Sequence, residues 1–83
     1  MPYIKQEDRP TFANSLFTIP RAKTKGELEY CIFYLMKMFI SHKDFTYTNL
    51  HDCVYAAQHC ADEFRRRFLD KREDEAREEN GDV

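Results

Sequence analysis

Three groups of residues in this chain carry side-chain chemistry dense enough to bind something: His51, Cys53, His59 and Cys60; Arg21, Lys23 and Lys25 beside Gly26; and Arg65, Arg66 and Arg67. Imidazole and thiolate are the usual zinc ligands. On a helix, however, Cys53 and Cys60 stand about 10 Å apart, too far to share one tetrahedral ion. Cys31 or His42 would have to complete such a site, so the expectation is small thiols packed beside an apolar stripe, and no metal. A nucleophile pair such as Cys53 with His59 lacks a glycine-rich oxyanion loop or a strand-turn-helix setting. Glu27, Glu29, Asp62 and Glu63 read as helix caps and solvated faces rather than as the paired carboxylates of a hydrolase. No catalytic residue is assigned, and the chain is expected not to be an enzyme and to call for no cofactor.

Anion binding is the chemistry these residue types favour. Arg21, Lys23 and Lys25 lie just ahead of a helix start, where backbone N–H groups and the helix dipole already attract negative charge and Gly26 permits close approach. Glu27 competes by capping the same terminus. Consecutive helix positions fan out by about 100°, so Arg65, Arg66 and Arg67 cannot all meet one ligand. Arg65 lies nearest the edge of an apolar stripe, positioned to reach across an interface or to pair with Asp62, Glu63 or Asp70. Tyr30, Tyr34, Tyr47 and Tyr55 offer rings that stack on a base or pack in a core. The expected binding set is Arg21, Lys23, Lys25, Tyr55, Arg65 and Arg66, the cations holding a phosphate and the ring facing a base.

The elements that position these residues are legible from spacing. Leu50, Val54, Ala57, Ala61, Phe64 and Phe68 follow one another at alternating steps of four and three, the pattern of a helix with one dry stripe. Thr48 or Asn49 caps that helix, which runs over 49–79 into the charged tail from Asp70, and Asn80-Gly81 ends it. At about 1.5 Å per residue it is roughly 45 Å long, against a radius of gyration of about 12 Å for a compact domain of this size. It must project, bend or pack along a neighbour. Thr24-Lys25-Gly26-Glu27 has the form of a capping box opening a helix over 24–42. Leu28, Cys31, Ile32, Leu35, Met38 and Phe39 keep helical spacing there, and Tyr34, Met36 and Ile40 widen the apolar arc, as in a central helix or one shared between subunits. His42 and Lys43 suit its negative end. Residues 1–6 form an extended arm in which Tyr3 and Ile4 pack on the domain. Glu7-Asp8-Arg9-Pro10 opens a short helix over 7–18 with Phe12, Leu16 and Phe17 on its buried side, broken at Ile19-Pro20.

Eighty-three residues with seven Phe and five Tyr make one small folded domain, in a size range where a single core is marginal and oligomerisation is common. Residues 1–48 carry seven Lys/Arg against five Asp/Glu, and residues 49–83 carry six against ten. Neither half is basic enough for a dedicated nucleic-acid binder. The apolar run from Cys31 to Ile40 is interrupted by Lys37 well short of the roughly 20 residues of a bilayer span. With no signal-peptide pattern at its start, the chain is expected in the cytoplasm, with its three cysteines reduced.

From Gly26-Glu27-Leu28-Glu29-Tyr30 onward the chain resembles a family of short uncharacterised proteins from bacteria and their phages. The likeness resumes at Tyr47-Thr48-Asn49-Leu50-His51-Asp52-Cys53-Val54. It continues through Ala57, Cys60, Ala61, Glu63, Phe64, Arg66 and Arg67, and closes on Glu78-Glu79-Asn80-Gly81-Asp82-Val83. The opening Met-Pro-Tyr-Ile-Lys is also similar, whereas Pro10 to Arg21 departs from the longer polar helix of the family. The resemblance implies an all-α fold and a phage or mobile-element setting, and it carries no activity. Together the readings give an all-α domain with a short N-terminal helix, a central apolar helix and a long C-terminal amphipathic helix, assembled as a homo-oligomer through the second helix and the ladder of the third. The expected function is non-catalytic sequestration of an anionic small ligand such as a (cyclic) nucleotide immune signal, an anti-defence role. The alternative is a structural or adaptor module that binds protein only.

Overall fold

The computed structural model describes residues 2–83, and every regular element in it is helical. Met1, the first residue of the expected arm, lies outside the described residues. A 3-10 turn over Gln6–Asp8 leads into α1, Arg9–Leu16, with Pro10 in its first turn, where a missing N–H costs no bond. Thr18 and Ile19 close that helix by donating to the carbonyls of Ser15 and Leu16, at 3.1 and 3.2 Å. The buried side expected for α1 is not there. Phe12 and Leu16 are exposed and Phe17 is 91% exposed, because α1 packs against the 3-10 turn and no other element.

The second helix, α2, spans Lys25–Ser41. Thr24 Oγ1 accepts the Glu27 N–H at 3.1 Å, one half of the expected box. The other half is displaced by one residue: Glu27 Oε1 accepts the N–H of Lys23 at 2.7 Å rather than that of Thr24, since the chain at 20–23 folds back over the first turn. At the far end Lys43 donates its N–H to Ile40 and holds its ammonium 4.9 Å from the Phe39 ring.

The third helix, α3, spans Tyr47–Phe64, and its cap is Thr46, ahead of the expected Thr48 or Asn49. Thr46 Oγ1 accepts the Asn49 N–H at 3.2 Å, while Asn49 Nδ2 donates to the Asp44 carbonyl at 2.8 Å and locks the turn between the helices. A π-helical turn over Arg65–Leu69 follows without a break and passes into α4, Asp70–Asn80. The Asp70 N–H reaches back five residues to the Arg65 carbonyl, so this wide turn brings α4 in out of phase with the ladder. Gly81, at φ 83° and ψ 151°, ends the helix in a conformation essentially confined to glycine.

Residues 47–80 thus form one helical rod. At about 1.5 Å per residue it is roughly 51 Å long, and it sets the 50 Å long axis of the molecule. The seventeen residues of α2 pair with its first half only. Ile40 and Met36 of α2 and Leu50 and Ala57 of α3 are half-buried, and Cys53, 7% exposed with its thiol against the Met36 carbonyl, is the one buried residue among those described. Phe64 and Phe68, the end of the ladder, stay exposed with rings 4.8 Å apart. A folded monomer of this mass exposes about 5,200 Å². This chain exposes 8003 Å² and has a radius of gyration of 16.4 Å.

Candidate functional site

The first two residues of the expected anion site meet in one place. Pro20, Arg21, Ala22 and Lys23 cross the first turns of α2 and enclose with Gly26, Glu27, Tyr30 and Cys31 an open cleft of about 530 Å³. Local sequence builds it: Pro20 redirects the chain after α1, and the Lys23 N–H bond to Glu27 pins the loop on the helix. Gly26, Tyr30 and the intervening turn place a bare backbone next to an aromatic ring, one helical turn apart. Arg21 and Lys23 have no carboxylate partner within ion-pair distance among the described residues. Glu27 is the single carboxylate in the lining, leaving the cleft one positive charge in excess. Its Oε1 accepts from the backbone and it sits at the positive end of α2, so part of its charge is already compensated.

The remaining expected residues lie elsewhere. Lys25 points away from the cleft, 92% exposed, and pairs with Glu29 at 2.7 Å. Arg65 lies 3.8 Å from Asp62, and Arg66 forms a two-point bond to Glu63, so both arginines are engaged by their own helix. Tyr55 stands in an exposed row with Tyr47, His51 and His59, ring centroids 5.9 to 6.5 Å apart. Two residues beyond Cys53, it lies about 200° around the helix from the face that meets α2. Arg21 and Lys23 therefore share the cleft, whereas Lys25, Tyr55 and the adjoining Arg65 and Arg66 lie outside it, and Tyr30 rather than Tyr55 supplies the ring beside the two cations.

A second polar cluster ties the arm down. Tyr3 donates its hydroxyl to Glu63 Oε1 at 2.7 Å, and Arg66 Nε donates to Oε2 of the same carboxylate at 3.3 Å. The Arg66 guanidinium first, then the Tyr3 hydroxyl, hold the Glu63 carboxyl below its ordinary value. The carboxylate in turn holds Arg66 above its own. The side chain of Glu63 is left 15% exposed. Arg9 Nε donates to the Ile4 carbonyl at 3.0 Å and fixes the arm's bend into α1.

The soft donors do not assemble. Cys53 lies in the hairpin seam with its thiol 3.5 Å from the Met36 carbonyl, Cys31 is half-buried, and Cys60 is exposed, against the expectation of a packed thiol. Among the described residues no three His, Cys, Asp or Glu side chains gather in metal-binding geometry. No helix among them is long and apolar enough to cross a membrane.

A family model described as a domain of unknown function (DUF6899) matches residues 1–83. No curated protein and no solved structure matches the chain.

Proposed function

We propose a function for this chain, which belongs to the DUF6899 family over its whole length: it is a non-catalytic, homo-oligomeric binding protein that holds an anionic small ligand of the nucleotide class. The observation that carries this reading is the cleft in which two cations without a carboxylate partner, Arg21 and Lys23, adjoin Tyr30 and a glycine at the start of α2. Guanidinium and ammonium groups suit a phosphate, and the phenol ring suits the face of a base. Arg65 and Arg66 belong to the site only where another subunit draws them from their pairs with Asp62 and Glu63. By analogy with the setting of the phage and bacterial proteins the chain resembles, the ligand is a (cyclic) nucleotide immune signal held in the cytoplasm, which makes the role anti-defence.

Titration calorimetry with mononucleotides and cyclic dinucleotides tests the reading. Binding weakened about tenfold or more by Arg21→Ala and by Tyr30→Ala, at unchanged helicity, is the expected result. Absence of binding across the panel, or affinity unchanged by both substitutions, removes it. A second reading, an adaptor that binds another protein, is favoured by the exposed apolar rings of α1 and of Phe64 and Phe68. Recovery of one partner at fixed stoichiometry, with no nucleotide bound, selects it.

A further inference from the structure

Apolar residues surround most of α2, with Tyr30, Phe33, Tyr34 and Met38 52 to 71% exposed, and one set among them is regularly spaced. Met36 and Ile40 are half-buried toward α3, whereas Leu28, Ile32, Leu35 and Phe39 stand 41 to 53% exposed at steps of four, three and four. At about 100° per residue those four positions share an arc of about 60°. This is the spacing of a coiled-coil seam, and among the described residues α3 is the one element packed on α2, which leaves the four about half exposed.

We infer that this stripe is the contact between two copies of the chain, docked as an antiparallel pair of α2 helices about a two-fold axis between Ile32 and Leu35. The spacing is its own mirror image. Reversing one helix lays Leu28 on the partner subunit's Phe39 and Ile32 on the partner subunit's Leu35, the self-complementarity that a two-fold interface requires. Antiparallel helices also place each positive end beside a negative one. No charge interrupts the stripe: Lys37, in the second half of the helix, lies about 170° from its centre. The size agrees as well. Each chain exposes about 2,800 Å² more than a compact monomer of its mass, and each partner of an obligate dimer covers about 1,000 to 2,500 Å². The inference rests on the oligomeric part of the reading above and is independent of the cleft's ligand.

Sedimentation velocity on the full chain, its Leu35→Glu variant and its Phe68→Glu variant tests the contact. The expected result is an even-numbered assembly for the unmutated chain and for Phe68→Glu. Leu35→Glu, which sets two like charges beside the axis, dissociates with a dissociation constant raised about 100-fold or more. Oxidative footprinting of the unmutated chain reads the same surface without a substitution: Leu28, Ile32, Leu35 and Phe39 each label more slowly at a concentration where the chain is assembled than at one where it is dissociated, while Phe17 labels equally at both. Assembly untouched by Leu35→Glu, or stripe labelling unchanged between the two concentrations, overturns the contact while oligomerisation stands. An unmutated chain that stays monomeric overturns both.

Discussion

Glu63 joins parts of the chain sixty residues apart, and it does so as an anion. Its carboxyl is held below its ordinary value by Arg66 and then Tyr3, so the charged form is the one the folded arrangement favours. The tether is complete above the ordinary carboxylate range and is lost as pH falls through the depressed folded value. Amide order parameters from NMR relaxation over residues 3–8 check this: high at neutral pH and falling as the carboxyl is protonated. Tyr3→Phe reproduces the mobile limit at neutral pH. Equal order parameters in Tyr3→Phe and the parent chain would show that the phenol does not hold the arm. The loss stays local, because a rim-level pair of this kind adds little to global stability. Nothing in local spacing announces such a bond. Arg66 three residues beyond Glu63 was legible as a helix pair, whereas the donor from the arm depends on how the two ends of the fold meet.

At the scale of the elements, what was legible depended on whether the signal was local. The Thr24 cap and the helical phase of Leu50 to Phe64 are consequences of bonds and faces within one or two turns and are present in the structure, whereas the stripe is not dry, with Val54, Phe64 and Phe68 45 to 65% exposed and the π turn breaking its phase before Phe68. The start of α3 lies two residues ahead of the expected Asn49, although Phe45-Thr46-Tyr47-Thr48, rich in β-branched and aromatic residues, has the composition of extended chain. The Thr46 hydroxyl and the Asn49 amide together override that preference. Thr46→Ala should therefore cost about 1 kcal/mol in chemical denaturation, as cap removal does. Thr48→Ala, inside the helix, should change stability far less, and the reverse order would return the cap to the expected position. The π turn at Arg65–Leu69 had no local signature, since Arg65-Arg66-Arg67 is ordinary helix-forming sequence. Of the candidate cleft, the basic loop was legible because its residues adjoin in sequence. The signal for Tyr30 over the expected Tyr55 is its place four residues after Gly26, which puts it on the cleft side of α2.

The whole molecule is a hairpin of unequal arms. The rod of residues 47–80 is about twice as long as the α2 that covers it. Beyond Leu69 the pairs Arg72–Glu75 and Arg77–Asp74, at 3.3 and 3.9 Å, are exposed and contribute little. A chain that buries only Cys53 among its described residues has little hydrophobic stabilisation of its own to oppose the entropy of ordering. In the proposed dimer the folded state draws on surface covered by association, and folding is then linked to protein concentration by mass action. For a dimer, each tenfold rise in concentration adds about 1.4 kcal/mol. Spread over the unfolding entropy of two such chains, that raises Tm by about 4 °C. Melts followed by circular dichroism from micromolar to millimolar chain should show this slope, and Leu35→Glu should melt lower with a flatter dependence. A Tm constant to within a degree across that range would mean that the hairpin is stable alone, and the exposed stripes of α2 and of Phe64 and Phe68 would then have to be explained without a second copy.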